Sequence, residues 1–195
     1  MQSDEPLTTY TAFSGDRLIA SGDASPVALV VKAALAEGAA RVLVFEDATG
    51  REVDFNLQGT DDDIRARLAA VPEVEEPSRA GRGRPKLGVV SREVTLLPRH
   101  WNWLATQPGG ASAALRRLVD EARKSRLDVD ALRLAQDAAY RAMSALAGDL
   151  PGFEEASRAL YARDAERFRA LITSWPIDVR DYVLRLAAPV DAPRA

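Results

Sequence analysis

The chain has 195 residues, 26 Lys/Arg against 29 Asp/Glu for a net charge of −3, an apolar fraction of 47%, one histidine and no cysteine. Without cysteine there is no disulfide, zinc–thiolate centre or thiol nucleophile, and the single His100 excludes a multi-histidine metal site and leaves a Ser-His-Asp triad one residue to use. The run Val27–Leu35 is broken by Lys32 and too short to span a bilayer, and Met1–Glu5 lacks the regions of a signal peptide, so a cytoplasmic protein with no membrane contact is expected.

The residue pattern predicts a small α+β domain over residues 1–71. Thr8–Phe13 reads as a strand, Gly15-Asp16 as a turn and Arg17–Ser21 as the hairpin partner. Ser25-Pro26 pairs a capping residue with proline at the first helical position, opening a helix that carries Val27, Val30, Val31, Ala34 and Leu35 and ends at Gly38. Arg41–Phe45 is a near-continuous apolar strand, Asp47–Gly50 a turn, and Val53, Phe55 and Leu57 alternate with Asp54 and Asn56 as a half-buried strand. Thr60 caps a helix over about Asp61–Ala70. The aspartates at 61, 62 and 63 could hold a hard cation, but they are also what a helix N-terminus favours, and no metal site is expected. The order is ββαββα.

Residues 72–87 lack apolar periodicity and form an acidic, then basic, linker and arm. Charge reverses here: Met1–Ser78 has 6 Lys/Arg against 15 Asp/Glu, Arg79–Arg126 has 11 against 3, and Leu127–Ala195 has 9 against 11. Such local concentration of cations in an acidic protein is an electrostatic footprint for phosphate. Within the arm, Arg82-Gly83-Arg84-Pro85, followed by Lys86, has the core of an AT-hook, an extended arginine pair whose glycine lets the backbone enter a narrow A·T minor groove.

Residues 88–126 are expected to form a strand, a helix, a turn at Pro108-Gly109-Gly110 and a second helix. Ser91–Leu104 followed by Pro108–Val119 resembles a ribbon-helix-helix domain. The resemblance implies that two chains pair their strands into a ribbon in the major groove, with Val94 and Leu96 inward and Ser91, Glu93 and Thr95 toward the bases. It places Arg92 at the end of the arm and Ser112 where the second helix would hold a phosphate. Glu93 departs from the family's basic or neutral outward positions; it could accept from a cytosine amine but repels phosphates. Trp101, Leu104, Leu115 and Leu118 are expected in the core. The lone His100, in the first turn of a helix, reads as a surface or phosphate contact.

Residues 127–188 read as a helical region and 189–195 as a tail. Asp128-Val129-Asp130 precedes a helix with Leu132, Ala135, Ala139, Met143 and Leu146 on one face, stopped by Gly148. Phe153–Tyr161, Ala165–Ser174 and Ile177–Ala187 follow as short helices, Glu154-Glu155 as a first-turn pair and Trp175-Pro176 as a corner. Gly83–Leu104 and Leu150–Ala156 also resemble stretches of a bacterial family catalogued as a domain of unknown function, which implies no activity. The expectation is a homodimeric DNA-binding protein, a transcriptional regulator rather than an enzyme, with no catalytic residue and no cofactor. The alternative is a protein-interaction or scaffold module whose N-terminal or C-terminal region binds a partner protein.

Overall fold

The computed structural model of the chain describes residues 8–69 and 90–188. The expected linker and arm, including Arg82, Gly83, Arg84, Pro85 and Lys86, and the expected tail lie outside the described residues. The chain divides into two compact units, one formed by residues up to 71 together with those from 129 onward, the other by residues 72–128.

In the first unit a four-stranded antiparallel sheet has the order β2-β1-β3-β4, with β1 at Tyr10–Ser14, β2 at Arg17–Gly22, β3 at Val42–Glu46 and β4 at Arg51–Glu52. Gly15 turns β1 into β2 with φ +63°, as the hairpin signal requires. Because side chains alternate along a strand, β1 and β3 each serve two cores. Ala12 and Val44 pack with Val27 and Val31 of helix α1 (Ala24–Ala36). Phe13 and Phe45 point the other way, into a larger core with the C-terminal helices.

That second layer consists of the C-terminal part of α4 (Gly110–Ala147) with α5 (Phe153–Ala162), α6 (Ala165–Leu171) and α7 (Ile177–Ala187). Tyr182 meets Phe13 at 5.3 Å and Phe45 at 5.9 Å between ring centroids, and the Leu18 amide donates to the Asp178 carboxylate at 2.9 Å. The two segments expected as 1–71 and 127–188 thus share one core. Trp175 is buried at the corner before α7, its indole N–H donating to the Pro151 carbonyl at 3.1 Å.

Several expected elements shift. Helix α1 starts at Ala24 with Asp23 as its N-cap, so Ser25 and Pro26 lie inside the first turn, where proline's missing N–H costs nothing. Val30 and Leu35 are exposed, since the buried stripe is the narrower Val27, Ala28 and Val31. Val53, Phe55 and Leu57 do alternate in burial, but the ladder covers only Arg51–Glu52, followed by one bond from the Val53 amide to the Val44 carbonyl at 2.9 Å; the three side chains pack on the α1 core. Helix α2 (Asp61–Ala69) follows its expected cap closely. The Asp63 amide donates to Thr60 Oγ1 at 3.2 Å and the Thr60 amide to Asp63 Oδ2 at 2.7 Å, a capping box with Asp in place of Glu.

In the second unit, α3 (Pro98–Ala105) begins with proline after an extended Leu97, and residues 106–109 connect it to α4. No strand forms among the described residues 90–97. Nor does a new helix start at Asp128-Val129-Asp130: α4 runs through it, because residues 111–147 contain neither glycine nor proline to interrupt the backbone. The mixed α/β class and the helical C-terminal region agree with the sequence pattern.

Candidate functional site

Of the expected DNA contacts, those in the second unit are solvent-facing. Ser91, Arg92, Glu93 and Thr95 sit in the unpaired run before α3, all exposed. Ser112 is also exposed, but it lies within the first turn of α4 and is not its N-cap, because the helix begins two residues earlier at Gly110. Trp101 and Trp103 are 41% and 50% exposed, and Leu118 is exposed too, so the expected core does not form among the described residues of this unit. Only Leu104 and Ala114 are buried among its described residues.

Arg92, Arg99, Arg116, Arg117, Arg123, Lys124 and Arg126 are exposed, and none makes an ion pair or side-chain hydrogen bond among the described residues. In the first unit Lys32, Arg65, Arg133, Arg158, Arg180 and Arg185 each have a carboxylate within 4.0 Å, while Arg17, Arg41, Arg51, Arg163 and Arg167 are exposed and make no such pair among the described residues. At about 100° per residue, Arg116, Arg117, Arg123 and Lys124 occupy one arc of about 120° on α4. A cationic helix face of this kind suits a polyanion, which releases counterions as it binds.

A second candidate, not anticipated from the sequence, lies within the first unit at the turn after β3. Asp47 is mostly buried and collects three hydroxyls, from the residue before β1, from β1 and from α7: Thr9 Oγ1 donates to Oδ2 at 2.8 Å, and Thr11 Oγ1 and Tyr182 Oη donate to Oδ1 at 2.7 and 3.2 Å. Arg185 donates from Nη2 to Thr11 Oγ1 at 2.8 Å and lies 3.7 Å from Asp47 Oδ1, with its guanidinium carbon 5.1 Å from the centroid of Tyr182. Burial first, and then the neighbouring Asp47 carboxylate, push the Tyr182 phenol well above its ordinary value, so it remains a proton donor. Thr9, Asp47 and Arg185 of this network line an open cleft of about 660 Å³ together with Leu134, Ala138 and Leu186. Asp47 is a satisfied anion and Arg185 a tethered cation, an arrangement that can orient a small polar group.

One family model, described as "Uncharacterized protein conserved in bacteria (DUF2239)", matches residues 9–187. The chain belongs to this family. The matched range takes in both units and therefore both candidates. No curated protein and no solved structure matches the chain. Among the described residues no cluster of three or more metal-ligating side chains occurs, and no helix is long and apolar enough to cross a membrane.

Proposed function

We propose that the chain is a dimeric DNA-binding protein acting in transcriptional regulation. In this reading the arm Arg82–Lys86 follows the minor groove, and Glu93–Leu96 of two chains form a ribbon in the major groove, with Ser91, Arg92, Thr95 and Ser112 also contacting DNA. The observation that carries it is the set of seven exposed, unneutralised cations between Arg92 and Arg126. The unpaired run before α3 is compatible with it, since a ribbon strand has its partner in a second chain.

The test is DNA affinity of the full chain on mixed genomic fragments as a function of salt. Replacing Arg116, Arg117, Arg123 and Lys124 by alanine should cut the slope of log K against log salt by about three to four, at about 0.9 per phosphate contact. Arg82→Ala with Arg84→Ala should lower it by about two and weaken any preference for A·T flanks. Thr95→Ala should change which sequence is preferred. A folded wild-type chain that binds no DNA at low salt would reject the proposal. The alternative, a protein-interaction module, draws on the exposed indoles of Trp101 and Trp103 and would then stand in its place.

A further inference from the structure

Among its described residues the second unit buries only Leu104 and Ala114, and the pattern of its exposed apolar side chains points to what covers them. Along α4, Leu115, Leu118, Ala122, Ser125 and Val129 recur at spacings of three, four, three and four residues. At about 100° per residue they fall in an arc of about 80°, on the side of the helix opposite Arg116, Arg117, Arg123 and Lys124. The same spacing continues through Leu132, Gln136, Ala139 and Met143, and there the chain covers it itself: Gln136, Ala139 and Met143 are buried in the first unit. From residue 116 to 129 every position is exposed, Val129 by 57%. One stripe is therefore packed in its C-terminal half and bare in its N-terminal half.

With Leu115, Ala122 and Val129 as the first positions of successive heptads and Leu118 and Ser125 as the fourth, Glu121 takes the seventh position and Arg126 the fifth position of the following heptad. In a parallel, in-register pair of helices these two positions meet across the interface, so Glu121 of each chain faces Arg126 of the other. In an antiparallel pair seventh positions meet instead, bringing Glu121 toward Asp128 of the other copy, a like-charge contact. We propose that residues 111–129 of α4 pair with the same segment of a second copy of this chain as a short parallel coiled coil, directing the four basic residues outward on both sides. This shares with the DNA-binding proposal only the homodimer; it is read from the free protein and stands whether or not nucleic acid binds.

The chain has no cysteine, so single introduced thiols report the register directly. Ser125→Cys places a thiol on the axis opposite its own counterpart and should give a disulfide-linked dimer as the main species on mild oxidation of the full-length protein. Leu127→Cys, on the outward side of the same turn, should give at least several-fold less. Separately, Glu121→Arg should raise the dimer dissociation constant about tenfold or more by sedimentation, and Glu121→Arg combined with Arg126→Glu should restore it. A folded wild-type monomer at micromolar concentration, equal cross-linking at 125 and 127, or a double charge reversal as weak as the single one would overturn the proposal. Because every arm is run without DNA, failed cross-linking or charge reversal in a chain that is still dimeric overturns this proposal alone, a monomer overturns the two-chain ribbon with it, and absence of DNA binding leaves this proposal intact.

Discussion

Asp47 shows how much one side chain can join. Its carboxylate is the common acceptor for Thr9, Thr11 and Tyr182 and the nearest anion to Arg185, so replacing it strands several polar groups at once. Losing a buried acceptor costs the desolvation of each partner left behind, and Asp47→Ala should lower unfolding free energy by about 2–4 kcal/mol in urea titrations. Asp47→Asn, which keeps one acceptor oxygen, should cost less than half of that. Tyr182 gives the same network a pH dependence. Its folded-state pKa lies above the ordinary value of 10.0, so the folded protein holds this proton more tightly than the unfolded chain. Its contribution is therefore fully present below pH 10 and is lost as the pH rises beyond that value. Urea midpoints should fall between about pH 9.5 and 11.5, and Tyr182→Phe, already weaker at neutral pH, should fall by less; parallel losses in the two proteins would show that the phenol is not responsible. None of this could be read from sequence, because Thr11 lies 36 residues from Asp47, and Tyr182 lies 135 residues away. The local pattern marked Asp47 only as the first residue of a turn.

At the scale of elements, the turn from β3 to β4 is held against α4 by a single glycine. Gly50 has φ +63°, and a Cβ there would lie 2.1 Å from the Ala138 carbonyl oxygen, backbone that cannot step aside. Gly50→Ala should therefore cost more than about 3 kcal/mol, while Gly15→Ala, with the same φ but open space around it, should cost about 1 kcal/mol. Comparable losses at the two sites, measured by thermal or urea unfolding, would mean that the turn can move off the helix. The pair also shows where sequence reasoning was sufficient. The first hairpin, the Thr60 cap and α7 all rest on local signals, and they appear within a residue or two of where those signals put them. The misread elements depend on distant partners or on the absence of a break. Val53–Leu57 alternates like a strand, yet the ladder with β3 ends at Glu52 with one further bond from the Val53 amide to the Val44 carbonyl, and Asp128-Val129-Asp130 resembles a helix start only if the preceding helix has ended. The exposed cations of the basic segment were legible as composition; their arrangement on one face of a continuous α4 was not, since that requires knowing that the helix is unbroken.

For the molecule as a whole, the division of labour between the two faces of the sheet decides what can fold alone. The ββαββα segment closes only one of its two layers: Ala12 and Val44 are covered by α1, whereas Phe13 and Phe45, each fully buried, are covered from the other side by helices more than 80 residues further along the chain. Exposing the two phenylalanine side chains forfeits about 1.5–3 kcal/mol apiece, and the half-buried Leu18 and Leu43 add to the loss. Against a typical net stability of about 5–15 kcal/mol for a whole domain, and with the backbone entropy of the segment still to be overcome, that deficit is too large for a sheet of four short strands. A fragment of residues 1–71 should therefore lack a cooperative thermal transition, and in the full chain the sheet and the helices α5–α7 should unfold together. Circular dichroism of the fragment, with hydrogen exchange on the full chain, measures both. A fragment that melts cooperatively near the full-length midpoint would show that the helical layer is an addition to a self-sufficient domain, and that Phe13 and Phe45 find cover without it.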